Sequence, residues 1–488
     1  MGLSTGFFMS IPTLAIFVAY LAVLLGIGFF FYRRSAGMEG YLPGGRARCS
    51  WAAALSAQAR GMSGWLLIGL LFHVQALAAE WPQWRGPNRD GVWSEEGIVK
   101  KLDGGQLPVL WRVAVSNGYS GPTVAGGRVY VSDRLTSPRE VERVLCFDAA
   151  TGKQTWAYAY ECDYEKVQYR DGPRAAPTIN DGRVYCLGTM GHLFCFDAAR
   201  GDVLWSRNLK AEYSLSVPIW GIAAAPLVEQ DLVIVQVGGK GDACLIAFDK
   251  ASGRERWRAL SDRASYSAPI VIEQAGKRVL VCWTGDSVAG LDPLTGKLYW
   301  QYPFKPARMV INIATPVFAN GYLFFSSFYD GSLLLKVDPD KLAVEKVWQR
   351  RGASEQNTDS LHCCISTPII QGDYIYGVDS YGELRCLDLL TGNRIWESLE
   401  AVPKARWSNI HMVRHENEIW MFNERGELII SRLSPDGFCQ ISRAKIIEPT
   451  EGQLDQRNVC WTHPAFAYKR LYVRNDRELI CIDLSAKE

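Results

Sequence analysis

The stretch Asp148-Ala-Ala-Thr-Gly-Lys-Gln-Thr-Trp156 decides the reading of this chain, because it returns. Clear copies are Asp197-Ala-Ala-Arg-Gly-Asp-Val-Leu-Trp205, Asp249-Lys-Ala-Ser-Gly-Arg-Glu-Arg-Trp257, Asp292-Pro-Leu-Thr-Gly-Lys-Leu-Tyr-Trp300 and Asp388-Leu-Leu-Thr-Gly-Asn-Arg-Ile-Trp396. A lengthened copy runs from Asp338 to Trp348, and a degraded one holds Ser434-Pro-Asp-Gly437. The last, Cys481-Ile-Asp483, stops before its Trp. The spacing is about 43 to 55 residues, the period of propeller blades.

Each part of the unit has a physical role. The Asp accepts hydrogen bonds from backbone N–H groups of a tight turn, and the Gly supplies the positive φ that the turn needs. The Trp is a large apolar plate at fixed register, suited to packing on the next blade. Each unit opens with a small residue, a proline and an apolar strand: Pro122, Pro177, Pro226, Pro269, Pro316, Pro368 and Pro464, with Met412 in the seventh unit. Proline lacks the ladder N–H and belongs at a strand start. Two alternating strands follow, as in Arg183-Val-Tyr-Cys-Leu187 and His192-Leu-Phe-Cys-Phe196.

Four strands per unit and eight openings predict an all-β fold over residues 80–488, an eight-bladed β-propeller of four-stranded antiparallel blades. The Trp strand missing from the last unit is predicted to come from Leu110-Trp-Arg-Val-Ala114, which lies before the first opening. Closure of this kind leaves only short, protected edges.

Composition agrees. Seventeen Trp, 45 Gly and 12% aromatic residues suit sheets that stack on rings and turns that need Gly. With 53 Lys+Arg against 51 Asp+Glu, the chain has no basic field for a polyanion, which excludes nucleic acid as a partner. Thirteen Cys occur without CxxC spacing, which removes haem attachment and zinc-ribbon readings. Cys146, Cys195, Cys386 and Cys481 each stand two residues before the repeat Asp, where other blades have Ala247 and Gly290. This is a small, buried packing slot rather than part of a disulfide framework.

Residues 1–79 read as a membrane segment. Thr13 to Phe31 is an apolar run long enough to cross a bilayer. A second run, Gly61 to Ala79, ends in small residues, Ala76-Leu-Ala78-Ala79, so it reads either as a second transmembrane helix or as a signal peptide cleaved near Ala78. Arg33, Arg34, Arg46, Arg48 and Arg60 lie between or beside the runs. The positive-inside bias places that loop in the cytoplasm and the propeller outside the inner membrane, in the periplasm, or secreted if cleaved.

Two resemblances follow from these residues. Gly40-Tyr-Leu-Pro-Gly-Gly-Arg46 and the stretch from Ala54 to Gly69 resemble the start of a sodium/proline symporter of the solute:sodium symporter family. The likeness covers only about the first 70 residues, and Gly61 stands where that family carries an acidic residue tied to sodium. It implies a membrane anchor or fusion scar without transport activity, since Arg60 puts a cation on the sodium path. Over residues 80–488, the Asp-x-x-Thr-Gly-x-x-x-Trp units resemble the pyrroloquinoline quinone repeat of quinoprotein dehydrogenases and of non-enzymatic outer-membrane assembly propellers. Glu80-Trp-Pro-Gln-Trp-Arg-Gly-Pro-Asn-Arg-Asp-Gly91 and Phe422-Asn-Glu-Arg-Gly-Glu427 are similar to secreted bacterial propellers of this quinone-repeat-like kind.

The quinoprotein resemblance implies an alternative function, a pyrroloquinoline-quinone- and calcium-dependent dehydrogenase with Cys363-Cys364 as a vicinal disulfide beside the quinone. No set of Glu, Asn and Asp residues for the calcium is recognisable, and the cysteines read as two buried strand-edge thiols. No Ser-His-Asp order, HExxH or phosphate loop appears, so no catalytic residue is assigned. The favoured reading is an exported binding or scaffolding module without catalysis, whose partner is a protein or an extracellular ligand. Its ligand would sit on the face where the inner strands begin, near Arg174, Trp220, His362, Trp407 and Trp461, because loops on a rigid scaffold carry function. His411 and His463 occupy the residue before the proline slot, where other blades have Gly121, Ala176, Ala225, Ala268, Thr315 and Thr367. Two imidazoles in that slot either share a metal, a proton or an anionic ligand, or hydrogen-bond to backbone, and the last reading is preferred because metal sites need three or four ligands.

Overall fold

A computed structural model describes residues 80–102, 107–454 and 457–486. The two apolar runs of the first 79 residues, and with them the predicted transmembrane helices, lie outside the described residues. The described chain forms eight four-stranded antiparallel sheets and a separate short hairpin, Glu451–Leu454 with Arg457–Val459. Seven sheets use consecutive strands; blade 1, for example, runs Thr123–Ala125, Arg128–Leu135, Val141–Asp148 and Gln154–Glu161. The first strand of each blade is innermost, and the inner strands of neighbouring blades touch around the ring axis.

Blade 8 closes the ring as expected. Its inner strands are Ala465–Ala467, Arg470–Arg474 and Glu478–Asp483, and its outer strand is Val109–Ala114 from the other end of the chain. Trp111 pairs with Cys481 there, as Trp156 pairs with Cys146 and Trp205 with Cys195. The small slot before the Asp is therefore the cross-strand partner of the Trp. In blade 4 that partner is Gly290, where an added Cβ would lie 2.2 Å from the Trp300 ring.

The turn works as the residue types predict. Asp148 Oδ1 accepts the Ala150 and Thr151 N–H groups at 3.1 and 2.8 Å, and Gly152 takes φ +73°. The Trp then ties one blade to the next. Its indole N–H donates to the carbonyl just after the Asp of the following blade: Trp111 to Ala149, Trp156 to Ala198, Trp205 to Lys250 and Trp257 to Pro293, all at 3.0–3.1 Å. Where the following turn is the lengthened one at Asp338, Trp300 donates instead to Gln274 Oε1 at 3.0 Å. The Gln274 amide reaches the lengthened turn through the Lys341 and Ala343 carbonyls at 3.0 and 2.6 Å. The core is correspondingly a chain of layers between blades, such as Trp156 with Phe194 and Phe196.

A segment before blade 1 crosses one end of the ring. Trp81 bridges Val124 of blade 1, the Pro82 carbonyl accepts the Ile179 N–H of blade 2 at 2.8 Å, and Trp93 and Val92 flank Arg414 of blade 7. Trp93 is buried against Trp420 and Phe466, with ring centres 5.2 and 4.8 Å away. This strap is the stretch Glu80–Gly91 with its continuation.

Candidate functional site: an aromatic cavity on the ring axis

Residues in the slot before the inner-strand proline, from several blades, meet at one cavity. Ala176, Ala225 and Ala268 line it together with His411 and His463. The strap inserts Trp84 among them. Its indole N–H donates to Thr315 Oγ1 at 2.7 Å, and its ring meets His463 edge-on at 4.6 Å and His411 at 6.4 Å. Gly121 must be small: an added Cβ would lie 2.6–2.7 Å from His463 ring carbons. The two imidazoles thus fill, in blades 7 and 8, space that smaller residues leave elsewhere, and they grip the Trp84 plug.

His411 Nε2 lies 2.9 Å from the Trp461 carbonyl and 3.1 Å from Asn409 Nδ2, and His463 Nδ1 lies 3.3 Å from the Pro464 carbonyl. Burial pushes the imidazoles down to about 4 for His411 and about 3 for His463, and both are neutral at physiological pH. The rings are 6.3 Å apart and have no third ligand beside them, since no group of three or more His, Cys, Asp or Glu suited to a metal occurs among the described residues. His463 Nε2 is buried and has no hydrogen-bond partner among the described residues.

The walls come from loops that precede inner strands. Tyr169, Trp220, Trp407 and Trp461 stand edge to face around the opening: Tyr169 is 6.0–6.3 Å from each Trp ring, and Trp220 is 6.2 Å from Trp407. Such edge contacts are favourable for aromatic quadrupoles and hold the rings as a set. Trp407 takes φ +64°, and its N–H donates to the Ser380 carbonyl at 2.8 Å. A left-handed backbone at a bulky residue is costly and is kept where surrounding structure imposes it. Arg406 covers the outer face of Trp407 with its guanidinium 4.6 Å from the ring centre.

Arg174 lines the same cavity, 5.0 Å over the Tyr119 ring, and donates to the carbonyls of Gln168, Tyr169 and Gly172. It therefore shapes the loop that carries Tyr169. The cavity holds about 160 Å³, and its lining contains Arg174 but no Asp or Glu. The buried indole N–H groups of Trp220 and Trp407 have no acceptor among the described residues.

Of the five residues expected on this face, Arg174, Trp220, Trp407 and Trp461 come together in one cavity, and His362 does not. His362 is fully buried, with Nδ1 3.0 Å from the Phe328 carbonyl and Nε2 accepting the Gly352 N–H at 3.0 Å. It fastens one loop to another. Trp84, Tyr119, Tyr169 and Tyr266 also line the cavity and were not singled out from sequence. Tyr169 and Tyr119 lie in irregular connections with no repeat register. Trp84 had a signal, its place in the Trp-Pro-Gln-Trp-Arg-Gly-Pro motif outside the blades.

Eight four-stranded blades joined by the Asp-turn-Trp unit place the chain in the quinone-repeat class of β-propeller. Within it, the family described as outer membrane protein assembly factor BamB matches residues 95–220 and 142–398, well over half of the chain, and the chain belongs to that family. Among solved structures it is similar to BamB from Moraxella catarrhalis, with 17% identity over 78% of this chain and 99% of that one and a TM-score of 0.54. It is also similar to the quinohemoprotein alcohol dehydrogenase of Comamonas testosteroni, with 13% identity over 84% and 81% of the two chains and a TM-score of 0.58. Identities this low speak for the fold alone. The N-terminal part is 43% identical over 61 residues to sodium/proline symporters of Klebsiella oxytoca and Escherichia coli. That match spans only 38% and 12% of those curated relatives.

A calcium-bound quinone can be tested against the residues present. Calcium takes six to eight oxygen ligands, several from carboxylates, and the cavity lining offers none. Cys364 does line the cavity, but Cys363 and Cys364 are free, buried thiols, and burial pushes Cys363 up to about 12. The residues do not fit the cofactor.

Proposed function

We propose that this chain is an exported, non-catalytic binding propeller of the cell envelope, held by or released from its N-terminal apolar segment. Its axial cavity receives the planar apolar ring of a ligand presented by a partner. The observation that carries this reading is the cage of Tyr169, Trp220, Trp407 and Trp461 above a floor sealed by Trp84. A sealed floor admits a guest from one side only, and aromatic walls reward a flat guest with stacking. A sugar ring, hydroxylated all round, would meet too few polar groups here. A quaternary ammonium guest is disfavoured by Arg174 and by the lack of a carboxylate in the lining. The family's description as an outer membrane protein assembly factor favours a protein as the bearer of the ring.

The test is calorimetric titration of the full chain in nonionic detergent with N-acetyl-tryptophanamide, a free indole carrying amide groups. One site is expected in the wild type, with at least tenfold weaker binding in Trp407→Ala. Absence of binding to wild type, or equal binding to both proteins, overturns the reading.

A further inference from the structure

The inner strands reach a second cavity at the other end of the axis. Ala225 and Ala268 border the aromatic cavity just before their strands begin, whereas the second cavity touches residues further along the inner strands, such as Ile270, Phe318 and Ile369. It holds about 250 Å³. The strap meets blades 1, 2, 3 and 7 at this end through Trp81, Pro82, Arg89 and Trp93, Arg89 also reaching the Pro269 carbonyl at the opening of blade 4, and the inner strands of blades 4, 5 and 6 face the space.

Three guanidinium groups stand along the strap side of this space: Arg85, Arg89 and Arg414, against one carboxylate, Asp90. Arg89 is 4% exposed and held in place by neutral acceptors only, the Ala225, Pro226 and Pro269 carbonyls and Gln83 Oε1. Its charge is positioned but not cancelled. Burial pushes Arg89 down to about 9 and Arg85 to about 10; at Arg85 the Asp90 carboxylate offsets part of this and the Arg414 charge adds to it. Both are still charged at neutral pH. Arg85 donates through one terminal nitrogen to the Asp90 carbonyl at 3.0 Å, while its buried Nε has no partner among the described residues. Asp90 spends one carboxylate oxygen on the Val92 N–H at 3.0 Å. A partly buried excess of positive charge is expensive unless an anion completes it, and guanidinium groups match carboxylates in geometry.

We infer that this second cavity is a binding site for an organic monocarboxylate, whose carboxylate meets Arg85, Arg89 and Arg414 and whose apolar body lies on the bare inner strands of blades 4 to 6. The charge on one wall and the aliphatic surface on the other require both halves of the ligand. A bare anion would leave the strands wet, and an uncharged apolar molecule would leave the guanidinium groups unanswered.

The experiment titrates the full chain in nonionic detergent with cyclohexanecarboxylate, with cyclohexylmethanol as its uncharged counterpart and with inorganic phosphate as a bare anion. Cyclohexanecarboxylate should bind at one site, and the other two at least tenfold more weakly. Arg414→Gln should weaken it at least tenfold with an unchanged melting temperature. If that variant misfolds, Phe318→Glu, at a position 36% exposed, should abolish binding by placing a like charge at the mouth. Saturating N-acetyl-tryptophanamide should not compete, which separates this site from the axial one whether or not the indole binds. Equal binding of the alcohol, equal binding of phosphate, competition by the indole, or full affinity in the folded variants would overturn the assignment.

Discussion

The indole N–H of Trp156 donates to the carbonyl oxygen of Ala198 at 3.0 Å, from one blade to the turn of the next. The same turn places Gly201 under the ring, where a Cβ would lie 2.6 Å from the indole. One residue thus makes both a hydrogen bond and a stacking contact across the blade boundary, and the repeat writes this joint several times around the ring.

Trp156→Ala should therefore destabilise the propeller by about 3–5 kcal/mol, the range for emptying a large aromatic site. Trp156→Phe should cost about 1 kcal/mol beyond its lost ring area. The carbonyl is not orphaned in that variant, because the Tyr130 hydroxyl also donates to it at 3.2 Å. Urea unfolding of both variants checks the order; equal losses would mean that the hydrogen bond and the plate are not separable.

Ring closure makes a second prediction. Val109–Ala114 is the only outer partner of Glu478–Asp483 among the described residues. Removing residues 81–116 takes away that strand, the buried Trp111 and the strap together, and should lower stability by roughly 5 kcal/mol or more. The bared edge should also recruit other copies. Size-exclusion chromatography and thermal melts read both effects; a monomer with an unchanged melting temperature would refute the closure.

The blades were legible in sequence because each carries the whole instruction locally: proline at the opening, Asp and Gly in the turn, Trp at fixed register. Closure was legible as a deficit, a Trp strand missing at one end and present at the other. The strap was harder to read, because Trp84 and Arg89 act on residues such as Thr315 and Pro269 that are more than 150 positions away. No periodicity records such a contact. His362 looked like its neighbours in sequence, since whether a loop histidine faces a cavity or a loop carbonyl depends on where the loop folds back.

Export can be tested directly. The arginines Arg33, Arg34, Arg46, Arg48 and Arg60 predict that residues 80–488 lie outside the cytoplasmic membrane. Protease added to intact spheroplasts should digest the propeller, while a cytoplasmic marker survives; full protection would place the propeller inside.

The buried histidines set an acid limit on stability. His411 and His463 titrate at about 4 and about 3 in the folded chain, below the ordinary imidazole value of 6.5, because burial disfavours their charged forms. The unfolded chain therefore binds more protons than the native one between these values, and stability rises with pH across the window. Their contribution is fully present above about pH 6.5 and is lost as the pH falls through 4 for His411 and 3 for His463. Protonation would place two cations beside the Trp84 plug. The urea midpoint of the wild type should drop between pH 7 and pH 4.5, by up to a few kcal/mol in free energy. The double variant His411→Asn/His463→Gln should show a flatter profile over that interval, since carboxylates elsewhere titrate alike in both proteins. Parallel profiles would show that these imidazoles are not the groups that take up the protons.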